Sequence, residues 1–134
     1  GTSADLLTNG ADADLWVIRI DNLSKKRVTF KNIGGGLPYA FSPTKNVIAY
    51  VYIGLNGNRS IWLVDEDGRN NHPLNAGIKK VGNFVWSPDG RWLAFAKDGA
   101  TSTLWVASAD GNKITKLFEY AEKGWTIDIA WSLD

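Results

Sequence analysis

The sequence predicts an all-β fold of four-stranded antiparallel sheets repeated along the chain, and three observations predict it. An aromatic-Ser turn recurs at a fixed spacing: Phe41-Ser42-Pro43, Trp86-Ser87-Pro88 and Trp131-Ser132 stand 45 residues apart. A second aromatic series, Trp16, Trp62 and Trp105, recurs at 46 and then 43 residues, each inside a short run of β-branched and apolar residues. A turn signal follows each of those runs: Asp21-Asn22, Asp67-Gly68 and Asp110-Gly111. A period in the forties with several short strands per repeat is that of β-propeller blades. No stretch carries helical periodicity of useful length; 120–123 is at most one turn in a loop.

Lettering the strands of a repeat a, b, c and d from the axis outward, each element can be justified in order. Ala4 to Thr8 reads as a weak b strand, because offsetting the first c strand onto the third lays Leu6 on Phe95. Leu15 to Ile20 is the first c strand and Val28 to Lys31 its d strand, with Lys25-Lys26-Arg27 as a solvated turn between them. Leu37 to Phe41 is strand a of the second repeat, Val47 to Tyr52 its b, Ile61 to Asp65 its c and Pro73 to Asn75 its d. Val81 to Trp86, Trp92 to Lys97, Leu104 to Ser108 and Ile114 to Phe118 are the third set. Between Trp86 and Trp92, Ser87-Pro88-Asp89-Gly90 supplies a tight turn: Pro fixes φ, Asp bonds its own backbone and Gly accepts φ > 0. Thr126 to Trp131 is a last a strand. The order is b-c-d, a-b-c-d, a-b-c-d, a, which makes 1–134 one repeat domain of three blades. Its copies fall at about 1–36, 37–80 and 81–124, with 125–134 as the closing strand.

Composition bounds the function classes. The 134 residues are 44% hydrophobic and 22% charged, which suits a globular core. A net charge of +1 leaves no electrostatic footprint for nucleic acid, and no apolar run has the length of a membrane span. Cysteine is absent, so no disulfide framework or thiol chemistry is expected. The chain lacks Met and opens on Gly1, as a processed or trimmed product would, so a removed targeting segment would leave no trace.

Trp86 to Gly90, Leu93 to Phe95, and Ile61 to Asn70 together resemble the TolB-type β-propeller repeat, a relative of the WD repeats. That repeat runs from an aromatic-Ser-Pro-Asp-Gly turn through an apolar b strand to an Ile/Leu-Trp/Tyr-Val-x-Asp c strand and an Asp-Gly turn. The first copy departs from it at Thr44-Lys45-Asn46, and the third at Leu133 in place of Pro. The resemblance implies a propeller blade, and a periplasmic or extracellular setting is favoured by it. It does not choose between an envelope protein, a surface protein and the gating domain of a prolyl-oligopeptidase-like peptidase.

Three blades are too few for a ring, since propellers use about four to eight. Two chains closing a six-bladed homodimer would supply the rest, the last a strand of one pairing with the first b strand of the other. A piece of a longer propeller is the alternative.

Chemistry is sparse. There is no Gly-x-Ser-x-Gly elbow and no phosphate or dinucleotide loop, so no enzyme activity, no catalytic residue and no cofactor is expected. His72 is the single histidine, and a lone histidine reads as a surface or packing residue. Asp65-x-Asp67-Gly68 fails as a calcium loop because Ala76 stands where the bidentate Glu belongs, so no metal site is expected. Trp16, Trp62 and Trp105 read as core residues from their recurrence.

Binding is expected on the d–a and b–c loops, which in propellers share the face around the channel mouth. Lys79 and Lys80 lie in one d–a loop, Asn56 and Arg59 in one b–c loop, and Asp98 opens another. Alternation along strand a turns Asn83 and its equivalent Asp128 away from the core aromatics, making them candidate polar groups near the channel. Trp125 and Tyr120 are the candidate surface aromatics, and would be stacking platforms if the ligand were a sugar. The expectation is a non-enzymatic propeller module recognising a protein or small ligand.

Overall fold

The structure, a computed structural model, describes residues 2–9, 12–29, 38–54, 56–120 and 129–133. Among them the chain forms eleven strands: β1 (Thr2–Asn9), β2 (Asp12–Arg19), β3 (Lys25–Arg27), β4 (Tyr39–Phe41), β5 (Val47–Ile53), β6 (Arg59–Asp65), β7 (His72–Pro73), β8 (Val81–Trp86), β9 (Trp92–Lys97), β10 (Ser102–Ser108) and β11 (Ile114–Tyr120). They pair into three antiparallel sheets, ordered β1-β2-β3, β4-β5-β6-β7 and β8-β9-β10-β11. Each sheet is a meander, and the first holds three strands among the described residues. No helix of the described residues is long and apolar enough to cross a membrane.

Alternation within the central strands builds the packing between sheets. Ile48, Tyr50 and Val64 of the second sheet join Leu15, Val17 and Val28 of the first in one apolar cluster. Ala49, Val51, Ile61 and Leu63 on its other face join Val81, Trp86, Leu93, Phe95 and Ala107 of the third. The middle sheet is thus apolar on both faces, and Ile48, Ala49, Tyr50 and Val51 are all essentially buried. Trp86 also sends its indole N–H to the carbonyl of Ala40 in β4, tying strand a of one sheet to strand a of the next.

The turns follow one scheme. In Ser87-Pro88-Asp89-Gly90, the Ser87 hydroxyl donates to Asp89 Oδ1 at 2.6 Å, and Asp89 Oδ1 accepts the Arg91 N–H. Ser87 Oγ then accepts the Trp92 N–H, and Gly90 takes φ +71°. Ser108-Ala109-Asp110-Gly111 copies it with Ser108, Asp110, Asn112 and Lys113, and Gly111 at φ +78°.

Several expectations are corrected. Lys25-Lys26-Arg27 is the exposed strand β3 rather than a turn, paired to β2 through Trp16↔Arg27. Val28 follows that strand, its N–H on the Leu15 carbonyl. Asp5, not Leu6, lies opposite Trp16, as Tyr50 lies opposite Trp62 and Phe95 opposite Trp105. Only residues 10 and 11 separate β1 from β2, a shorter connection than 54–58 or 98–101, and this shifts the register by one. Residues 126–128 of the expected last a strand lie outside the described residues, and 129–131 belong to no sheet among them. Trp16, Trp62 and Trp105 are half-buried rather than fully buried, and Trp62 and Trp105 pack against the apolar clusters. The indole N–H groups of Trp62 and Trp105 donate to Ser60 Oγ and Thr103 Oγ1, two residues back on the same face.

Candidate functional site

One end of the second and third sheets gathers three loops: 54–58 between β5 and β6, 74–80 between β7 and β8, and 98–101 between β9 and β10. The sequence closes each locally. In the first, Gly54 N–H bonds the Asn58 carbonyl, Gly57 sits at φ +79°, and Asn56 Oδ1 accepts the Asn58 N–H. In the second, Asn75 Oδ1 accepts the Gly77 N–H, while its amide nitrogen reaches the Gly111 carbonyl of the third sheet at 2.9 Å.

Two contacts at Asp98 link these segments. The Arg59 guanidinium donates to Asp98 Oδ2 at 2.7 Å, and the Asp98 N–H donates to the Lys80 carbonyl at 2.9 Å. Asp98 therefore ties the start of β6 to the 74–80 loop. Lys80 occupies φ +60°, a left-handed conformation uncommon for a residue with a side chain.

Beside these loops lies a cleft of about 270 Å³, lined by Tyr52, Asn56, Asn58, Ser60, Trp62 and Lys79 among others. Tyr52 and Trp62 form its aromatic wall, with ring centroids 5.2 Å apart and planes tilted by 54°. The polar lining holds both donors and acceptors. Asn56 spends its oxygen on Asn58, which leaves its amide NH₂ for a ligand, and Lys79 is exposed. In the third sheet the place of Tyr52 is taken by Lys97, whose Nζ stands 5.0 Å from the Trp105 ring centroid.

Of the residues the sequence singles out, the structure joins Arg59 with Asp98 and places Asn56 and Lys79 on the same cleft. Lys80 enters through its backbone, with its side chain exposed. Asn83 is half-buried in β8, at an irregularity between Val81 and Phe84, apart from the cleft. Tyr120 ends β11 opposite Ser102, while Trp125 and Asp128 lie outside the described residues. The aromatic wall escapes sequence reasoning because Trp62 recurs in every repeat. Its signal is Tyr52, the one aromatic among Tyr52 and Lys97 at that place in strand b.

At the opposite end a groove of about 210 Å³ is lined by Ser42, Lys45, Asp65, His72, Trp86 and Asp110. His72 is exposed and its Nδ1 bonds the Asn70 carbonyl, the surface role expected of it. Asp67 caps the Arg69 N–H, and Asp65 accepts from the Asn70 amide, so both carboxylates serve their turn. Among the described residues no group of three or more His, Asp or Glu could hold a metal ion.

Comparison with solved structures gives the same repeat. An Agrobacterium tumefaciens structure described as TolB superposes with a TM-score of 0.73 at 19% identity, covering 88% of this chain and 45% of that one. TolB from Acinetobacter baumannii gives 0.70 at 13% identity, over 88% of this chain and 30% of that one. The β-propeller domain of the Trilobed protease from Pyrococcus furiosus gives 0.69 at 17% identity, over 88% and 39%. By sequence, the uncharacterized peptidase YuxL of Bacillus subtilis (strain 168) is 31% identical over 58% of this chain, which spans 13% of that protein. The chain spans less than half the length of each of these proteins. No model of a known protein family matches it.

Proposed function

We propose that this chain, which has a TolB-type β-propeller repeat fold, is a non-catalytic binding module that recognises a protein or small ligand through the loops at one end of its sheets. The observation that carries this reading is the aromatic-walled cleft at the loop end of the second sheet, beside the Arg59–Asp98 contact between β6 and the next sheet. Loops held on a rigid sheet scaffold are where recognition concentrates. The cleft offers a hydrophobic wall and a few convergent donors, the composition small-ligand sites use. The TolB-type resemblance favours a periplasmic or extracellular setting for such a module.

Tryptophan fluorescence titrated with a panel of peptides and oligosaccharides tests the reading. Binding should be weakened by Asn56→Ala and Trp62→Phe and unaffected by Lys45→Ala at the opposite end. Binding that survives the first two and is lost in the third would place recognition on the wrong face.

The similarity to YuxL and to the Trilobed protease propeller supports a second reading, in which the module is the propeller part of a longer peptidase. A hydrolase domain encoded on the same polypeptide decides for it. The sugar-binding alternative, for which the sequence offers Trp125 and Tyr120, is supported by the Tyr52–Trp62 wall of the cleft; a response to oligosaccharides alone within the panel would select it.

A further inference from the structure

The cleft at the loop end of the second sheet carries more chemistry than its aromatic wall. Its two carboxamides come from one preformed loop, in which the Gly54 N–H bonds the Asn58 carbonyl and Asn56 Oδ1 accepts the Asn58 N–H. The Asn56 and Asn58 amides line the cleft together with Ser60. A carboxamide is donor and acceptor at once, which matches a hydroxyl group that is also both. Tyr52 and Trp62 supply the apolar surface, and the Trp62 indole N–H is fixed on Ser60 Oγ at 3.1 Å. An aromatic wall set beside convergent amides suits a ring with an apolar C–H face and a polar rim, the shape of a pyranose.

Two features disfavour an extended peptide. β5 and β6, which carry Tyr52 and Trp62, are each paired to a strand on both sides, so they offer no edge for main-chain addition. The volume of about 270 Å³ also lies below the roughly 300 Å³ at which pockets for drug-sized ligands begin, which suits a ring rather than a run of residues. Charge narrows the class further. Among the described residues that line the cleft, Lys79 is the only charged one, and it is exposed. Lys80 follows it, also exposed, and Lys97 stands by the Trp105 ring on the next sheet. Across 54–58, 74–80 and 98–101 the only carboxylate is that of Asp98, and Arg59 is paired to it. The cleft therefore meets a ligand with unbalanced positive charge, and an anion complements it.

We infer that this cleft takes an acidic sugar, with its ring against Tyr52 and Trp62, its hydroxyls on Asn56 and Asn58, and its carboxylate on Lys79. The inference rests on the reading of this loop end as the binding face and narrows that reading to one class of ligand. Calorimetric titration with a glucuronate-bearing tetrasaccharide and with its methyl ester tests it, since the two share every ring and differ at the carboxyl group. The acid should bind about three- to tenfold more tightly than the ester at low salt, the range of a charge-assisted bond at a partly exposed site, and the gap should shrink in added salt. Lys79→Gln should bring the acid down to the affinity of the ester and leave the ester unchanged. Lys80→Gln should keep most of the gap, and Trp62→Phe should weaken acid and ester alike. An ester that binds as tightly as the acid, a gap that survives Lys79→Gln, equal losses in Lys79→Gln and Lys80→Gln, or binding untouched by Trp62→Phe would each overturn the inference. So would the absence of binding by either sugar at millimolar concentration. In that case the peptides of the panel decide the wider reading: it survives if one of them binds and is weakened by Asn56→Ala and Trp62→Phe, and falls if none does.

Discussion

Asp89 and Asp110 do the same work in turns that join different strands. Each accepts a serine hydroxyl and a backbone N–H at one oxygen, and each is held below the usual carboxylate range, first of all by that hydroxyl. A depressed carboxylate contributes stability above its ordinary pKa and loses it as pH falls through the depressed value. These turns therefore weaken only in acid. Gly111 adds a steric demand, since a Cβ there would overlap the Leu74 carbonyl and φ is +78°. Gly111→Ala should destabilise by about 2 kcal/mol or more in denaturant unfolding, because overpacking against backbone adds to left-handed strain. Leu23 is the converse case. It is 76% exposed at φ +59°, so its side chain gains little burial in a strained conformation. Leu23→Gly should stabilise by about 0.5–1 kcal/mol, the left-handed penalty less the entropy of glycine; a lowered melting temperature would contradict this. Tyr50 governs the alkaline side. Burial, the largest effect, pushes its phenol above the ordinary value, against the hydrogen bond it donates to Asn71 Oδ1. A raised acid contributes stability below its unfolded pKa, and that contribution is lost as pH rises above about 10. Tyr50→Phe should lower stability at neutral pH yet flatten its decline above about pH 10, measured by urea unfolding at stepped pH.

At the scale of the element, what sequence makes legible depends on how many neighbours a strand has. The c strands are legible because both faces of the sheet demand apolar residues and Trp62 and Trp105 recur with a hydroxyl two residues before. β3 is illegible for the opposite reason: as an exposed edge strand it can be written Lys-Lys-Arg, which no pattern separates from a turn. The register of β1 is lost in the length of one hairpin loop, a feature repeat alignment averages away. The candidate site divides in the same way. Asn56 and Lys79 are found from loop position alone, whereas the pairing of Tyr52 with Trp62 depends on a rotation of rings that spacing does not encode. The Arg59–Asp98 pair belongs to this scale because it joins elements of two sheets. Its side chains are 36% and 56% exposed, so a double-mutant cycle should return a coupling under about 1 kcal/mol that shrinks in added salt. A coupling of several kcal/mol would mean that the loop junction is buried in an assembly.

Across the whole molecule, stability follows from which sheet faces have partners. The second sheet shares one apolar cluster with the first and another with the third, whereas the first has a packed neighbour on the second sheet's side. In repeat proteins such neighbour terms dominate, and a unit flanked on one side opens before a unit flanked on both. Hydrogen exchange should reveal this order. Amides of β5 and β6 should be the slowest at every protein concentration, because both of their faces are covered within one chain. Amides of β1 and β2 should exchange faster than those of β5 and β6, because the first sheet shares one apolar cluster with a neighbour where the second shares two. Protection in β1 that equals that of β5 would show that the number of packed neighbours does not set the order of opening.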